Sequence, residues 1–149
     1  MNLPPLLLTQ AQHRQIEAEG AAAYPNECCG IMFGRDELEG RVAKRRIVNR
    51  LVAAPNDFEE HEQFHRFSIS AKTLMAAEEE AAKTGELVLG FYHSHPDHPA
   101  RPSEYDREHA WPFYSYVIVA IESRQARLMT SWLLNESTEQ FEEQAIEVG

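Results

Sequence analysis

His93-Ser94-His95-Pro96 is followed by Ser103 and Asp106 in the run HSHPDHPARPSEYD. The two histidines stand at i and i+2, and the carboxylate of Asp106 follows eleven residues after His95. In an extended segment, residues two apart point to the same side, so both imidazoles can converge on one point. Two imidazoles and one carboxylate are the donor set of a catalytic zinc site, which leaves the fourth tetrahedral position to water, whereas structural zinc sites close with four protein ligands. Each half of the pattern also has a plainer explanation. A His-x-His pair occurs on ordinary surface strands, and Ser103-x-x-Asp106 has the form of a helix N-cap with an acid in the first turn. Their occurrence together, with Pro96 between them, favours Zn²⁺ held by His93, His95 and Asp106.

The elements that position this set follow from pattern. Leu87 to Tyr92 (LVLGFY) is apolar throughout, as in a central strand covered on both faces, and it delivers His93 and His95 at its C-terminal end. Pro96, Pro99 and Pro102 exclude a helix and impose an extended, turning connection. Ser103 then opens a helix running to about Ala110. Upstream, residues 1–8 read as an apolar lead-in. Thr9-x-x-Gln12 is a capping box that starts a helix over Gln10 to Ala23, ended by Tyr24-Pro25. Cys28 to Gly34 reads as a buried strand, Arg35 to Gly40 as a polar turn, and Arg41 to Asn49 as the next strand. Lys44, Arg45 and Arg46 within it read as a solvated face, with a contact surface for an acidic partner as the alternative. Ala54 to Phe67 is a polar loop; its Asp57, Glu59, Glu60, Glu62, His61 and His65 are spaced too irregularly for a second metal. Ser70 caps a helix from Ala71 to about Thr84, with Leu74, Ala77 and Ala81 on one face and Gly85 as the stop. Ser115 to Ile121 and Ala126 to Leu134 form a hairpin across residues 122–125, and Phe141 to Val148 reads as a last edge strand. Helices alternating with hairpin-linked strands predict one α/β domain over residues 1–149, a mixed sheet flanked by helices.

The chain has 149 residues, 43% hydrophobic and 26% charged, which suits one globular domain with a real core. A net charge of −10 argues against nucleic acid or an anionic membrane as the main partner. Leu3 to Leu8 is too short to span a membrane and has no basic flank of the signal-peptide kind, so the expected location is cytoplasmic. Cys28 and Cys29 are the two cysteines and are adjacent, so no disulfide framework is expected within the chain. As neighbours in an apolar run they read as core rather than as a thiol nucleophile. His98 is expected near the metal ligands or in solvent, and His109 packed near its helix end. His13, His61 and His65 carry no ligand spacing.

The motif His93-Ser94-His95-Pro96, six residues, Ser103, two residues, Asp106 resembles that of the JAMM (MPN-plus) metallopeptidase family without a gap. Tyr24-Pro25-Asn26-Glu27-Cys28-Cys29-Gly30, Gly90-Phe91-Tyr92 and His109-Ala110-Trp111-Pro112 are similar to its short bacterial branch, and the resemblance covers nearly the whole chain. The resemblance implies an α-β-α sandwich like that of the cytidine deaminases, whose own His-x-Glu and Pro-Cys-x-x-Cys signature is absent here. It makes Glu27 the general base that takes a proton from the attacking water and passes it to the leaving amine. Ser103 is left with two roles, helix cap or hydrogen-bond donor to the oxyanion. The implied substrate is a ubiquitin-like β-grasp sulfur-carrier protein ending in Gly-Gly, from which cysteine is released in cysteine biosynthesis. Alternatives from the same family are a deconjugating isopeptidase and a non-catalytic scaffold; a purely structural zinc domain is a further rival.

Overall fold

The computed structural model describes residues 3–54 and 70–149. The acidic and histidine-bearing loop around Asp57 to His65 lies outside the described residues. The elements in order are β1 (Leu6–Leu8), α1 (Gln10–Ala23), β2 (Cys29–Glu39), β3 (Val42–Ala54), α2 (Ala71–Thr84), β4 (Leu87–Pro96), α3 (Glu104–Glu108), β5 (Ser115–Glu122), β6 (Gln125–Leu134), β7 (Phe141–Gln144) and β8 (Ile146–Val148). They form one eight-stranded mixed sheet in the order β7-β6-β5-β4-β2-β3-β1-β8. β4 sits near its middle, antiparallel to β2 and parallel to β5. No helix among the described residues is long and apolar enough to cross a membrane.

Local chemistry explains the two longer helices. Thr9 accepts a hydrogen bond from the Gln12 amide while the Gln12 side chain accepts from the Thr9 amide, so the capping box is complete in both directions. Ser70 caps α2, and Gly85 ends it in the left-handed conformation at φ 75°. The helices cover opposite faces of the sheet. On one side Ile16 of α1 joins Leu6, Leu8, Met32, Val48, Leu89, Tyr92, Val117, Val119 and Ile121. On the other, Ala77 and Ala81 of α2 pack with Ile31, Phe33, Val88, Phe91 and Tyr116. The mixed sheet flanked by helices is therefore as expected.

A bulge in β4 decides which way the histidines face. The register with β2 slips by one residue, Met32 lying opposite Gly90 but Phe33 opposite Val88. Leu89 then faces the α1 side and Phe91 the α2 side, although residues two apart in a regular strand share a face. Beyond the bulge, alternation resumes: Tyr92 turns to α1, where its hydroxyl donates to Glu19 at 2.6 Å, and His93 and His95 fall on the face of Phe91. Gly90 is required at this point. A Cβ there would lie 1.8 Å from the Ser115 carbonyl oxygen of the neighbouring strand.

Four expectations need correction. The lead-in contains β1, which pairs in parallel with both β3 and β8; three leucines are too few to show a period. The polar stretch from Arg35 is no turn. β2 continues to Glu39 because Asp36 and Glu37 lie opposite Arg46 and Arg45 and pair with them across the strands, and the turn comes at Gly40, φ 65°. Arg46 is consequently not on a solvated face. It is 5% exposed, and its guanidinium donates to Asp36, to the Leu89 and Phe113 carbonyls and to Ser115 Oγ. The last segment is two strands on opposite edges, β7 beside β6 and β8 beside β1, with Ala145 alone between them.

The sheet thus curls until its edges meet. Buried Gln144 fastens the seam: its amide group donates to the Pro4 carbonyl at 2.7 Å and accepts from Ser131 Oγ at 2.8 Å, while the Leu6 amide donates to the Ala145 carbonyl. Replacing Gln144 by leucine keeps the volume but strips two buried groups of their partners. We expect Gln144→Leu to lower stability by about 2–3 kcal/mol, read from the urea unfolding midpoint at unchanged m-value; a loss below ~0.5 kcal/mol would mean that the seam closes without it.

Candidate metal centre

β4 runs through His93 to Pro96, so both histidines sit in regular extended backbone. Their Nε2 atoms are 3.1 Å apart. Asp106 arrives from α3, its Oδ2 3.2 Å from His95 Nε2 and 3.4 Å from His93 Nε2. Glu27, on the segment leading into β2, brings a carboxylate oxygen into one group with the two imidazoles, all within 4.8 Å. Register accounts for that approach: Cys29 pairs directly with His93, so the residues just before β2 lie beside the histidines. Glu27, His93 and His95 are buried.

Two of the donors, His95 and Asp106, are also held by hydrogen bonds to backbone groups outside the cluster. His95 Nδ1 lies 2.8 Å from the Pro99 carbonyl. A carbonyl can only accept, so Nδ1 carries the proton and the Nε2 lone pair faces the cluster. The proline-rich loop supplying that carbonyl is itself pinned, Thr130 Oγ1 donating to the Ala100 carbonyl at 2.7 Å. Asp97, at φ 55°, accepts from the Tyr24 hydroxyl and from the Ser123 amide, joining this loop to the end of α1 and to the β5–β6 turn. Asp106 Oδ2 accepts from the Ser103 amide at 2.9 Å, while Ser103 Oγ accepts from the Asp106 amide at 3.0 Å. The capping box therefore also orients the Asp106 carboxylate.

The protonation states suit a cation. Burial pushes the His93 imidazole below its ordinary value, leaving it neutral. Burial alone would raise the Asp106 carboxyl, yet the adjacent imidazoles hold it far below the usual carboxylate range. Glu27 goes the other way, up to about 9, because it is desolvated and because Asp106 adds a negative charge nearby. A neutral imidazole and an ionised carboxylate are the forms that bind a metal. Ligand atoms about 2.0–2.1 Å from a tetrahedral ion stand about 3.3–3.4 Å from one another. The separations of 3.1, 3.2 and 3.4 Å among His93, His95 and Asp106 fit that spacing, so the residues present fit a small divalent cation.

Other candidates fall away. Cys29 is core, its thiol 3.4 Å from the Ala54 carbonyl. Cys28 is pushed up to about 11, chiefly by burial, so it carries no thiolate near neutral pH. His98 is exposed in the loop beyond Asp97. His109, expected to pack, is exposed at the end of α3, stacked on the Tyr105 ring at 4.0 Å between centroids. His13 pairs with Glu17. The Pro99 carbonyl has no side chain to signal it and was not foreseen; only the close following of His95 by prolines could have suggested a backbone acceptor.

Comparison with known proteins bears on the family and the fold. A family model described as prokaryotic homologs of the JAB domain matches residues 9–135. A protein of Haloferax volcanii named desampylase is 33% identical over 108 residues, 71% of this chain and 71% of its own length. Among solved structures, a protein of Desulfitobacterium hafniense superposes with a TM-score of 0.79 at 29% identity, covering 97% of this chain and 92% of that one. A JAB1/MPN domain protein from Archaeoglobus fulgidus, at 17% identity and a TM-score of 0.58, covers 100% and 99% and shares the fold.

The raised Glu27 value makes a signed prediction for the chelated protein. A carboxyl whose folded value lies above its unfolded one contributes stability fully present below the unfolded value, and loses it as pH rises through the folded value. Wild-type apoprotein should therefore lose stability relative to Glu27→Gln between about pH 4.5 and about pH 9, on the order of a few kcal/mol. Unfolding midpoints of the two proteins across that window check it; parallel curves would show that Glu27 ionises normally.

Proposed function

This chain belongs to the prokaryotic JAB-domain family, and from that premise we propose that it is a zinc metallopeptidase hydrolysing the bond after the C-terminal glycine of a ubiquitin-like protein. The observation that carries the reading is the convergence of His93, His95 and Asp106 at 3.1–3.4 Å with Glu27 beside them. His93, His95 and Asp106 would hold the ion, which leaves Glu27 for proton transfer. The relative named desampylase supports a hydrolase that acts on ubiquitin-like proteins.

A bound zinc ion would supply Lewis acidity, lowering the pKa of a coordinated water to about 7 and polarising the scissile carbonyl. Glu27 takes the proton from the attacking water and returns it to the leaving amine, which requires that it be ionised at the start; a neighbouring cation favours that form. Ser103 serves in two ways at once. Its oxygen lone pair caps α3, so its hydroxyl proton remains available for the developing oxyanion. The two roles set as alternatives for Ser103 are therefore compatible. Glycine at the cleaved position lets the substrate backbone approach the buried donors closely.

The leaving amine we favour is that of cysteine, released from a sulfur carrier with a Gly-Gly tail, as the motif resemblance implies. The similarity to a desampylase favours a second reading, a lysine side-chain amine in a conjugate. A scaffold role is disfavoured by the intact donor set. A structural zinc role would need Glu27 as the fourth donor, which its use in proton transfer excludes.

The test is intact-mass spectrometry of two substrates, a Gly-Gly-tailed carrier extended by one cysteine and an isopeptide conjugate of the same carrier. Each is incubated with the protein, with and without a zinc chelator. We expect loss of the cysteine, abolished by chelator and by His95→Ala, which should also remove the bound zinc. Glu27→Gln should keep zinc and lose at least about a thousandfold in kcat. Ser103→Ala should lose roughly a hundredfold. Cleavage of the conjugate alone would assign the second reading; zinc bound without cleavage of either would sink the peptidase. Unfolding on chelation would make the site structural.

A further inference from the structure

Ser94 lies between the two histidines and is fully buried, yet nothing in the proposed chemistry uses it. It cannot reach the metal. Alternation beyond the β4 bulge turns it to the face opposite His93 and His95, where its Cβ lies against α1: a Cβ added to Gly20 would stand 3.3 Å from it. On that face Ser94 Oγ accepts a hydrogen bond from the Cys28 amide at 2.8 Å, and the Ser94 amide donates to the Cys28 carbonyl at 3.3 Å. Cys28 precedes the first residue of β2, so this side chain extends the pairing of β2 with β4 by one residue beyond Cys29 and His93. The next residue outward is Glu27.

We propose that Ser94 is a positioning residue: by holding the Cys28 backbone it fixes where the Glu27 carboxylate stands relative to His93 and His95. The inference rests on the reading of Glu27 as the proton carrier. It explains why the residue between two ligands that face one way is a small hydroxyl facing the other. An apolar side chain there would leave the Cys28 amide without its acceptor and free the end of β2 to fray. Glu27 would still be present, but over a wider range of positions, and misplacement by about 1 Å can cost on the order of a hundredfold in rate.

The experiment compares wild type, Ser94→Ala, Ser94→Thr, Glu27→Gln and the double variant Ser94→Ala/Glu27→Gln, all loaded with zinc. For Ser94→Ala we expect zinc content and KM within about twofold of wild type, kcat lower by roughly 10- to 100-fold, and faster hydrogen exchange at the Cys28 amide. Ser94→Thr, which keeps the hydroxyl, should restore most of kcat and the exchange protection. In the Glu27→Gln background, with residual turnover measured at excess enzyme, Ser94→Ala should add little, because there is no longer a proton carrier to position. Equal losses in both backgrounds, lost zinc or unchanged exchange at Cys28 would overturn the proposal. Should Ser94→Ala fail to fold, Ser94→Cys, of similar volume and a weak acceptor, replaces it with the same expectations. A zinc-loaded wild type that cleaves neither substrate would sink the peptidase reading itself, whereas an active wild type with additive losses would sink only the role of Ser94.

Discussion

Three electron-rich atoms, His93 Nε2, His95 Nε2 and Asp106 Oδ2, are held within 3.4 Å of one another at a largely buried point. Atoms so close are satisfied by a shared cation or by a proton between them, and the fold must hold them together for either. Much of the surrounding structure can be understood as supplying that restraint. The sheet supplies two donors from one strand. The proline-rich loop supplies a carbonyl that fixes one imidazole, and the first turn of α3 supplies an amide that fixes the carboxylate. The Pro99 carbonyl acts on the far side of the His95 ring, leaving Nε2 to face the cluster, whereas the Ser103 amide shares the Asp106 oxygen that faces the histidines.

How much of this was legible in the sequence depended on whether the signal was local. The caps of α1 and α2, the apolar run of β4 and the i, i+2 histidines are short-range features, and each appears where expected. The strand β1 is three residues long and exists because it is paired on both sides; no window of its own could reveal it. The polar half of β2 looked like a turn because Asp36 and Glu37 find their partners on another strand, ten and eight residues away. Arg46 looked exposed for the same reason, since its burial depends on carbonyls at residues 89 and 113. Glu27 stands out among the many acidic residues only by family resemblance, and its position beside the histidines follows from a register that composition does not express.

The bulge at Leu89 and Gly90 ties these threads together. A β-strand fixes the side of each residue by parity, so an extra residue upstream exchanges the two faces for everything that follows. In β4 that exchange gives Tyr92 and Ser94 to α1 and the histidines to the face of Phe91. The Gly90 position tolerates it because the backbone of β5 passes where a side chain would be. The histidines' spacing makes convergence possible; the bulge determines where they converge.

The seam at Gln144 has a temporal meaning as well. β1 pairs with β8, so the first and last strands of the described chain are neighbours, a separation of about 140 residues that entropy must close before the contact returns any energy. Contacts of such length slow folding. During synthesis on the ribosome, β2 and β4 can pair and bring Glu27 beside the histidines while β1 still waits for β8. The candidate site is thus built on a pairing of much shorter reach, Cys29 with His93, than the one that closes the sheet, Leu6 with Ile146.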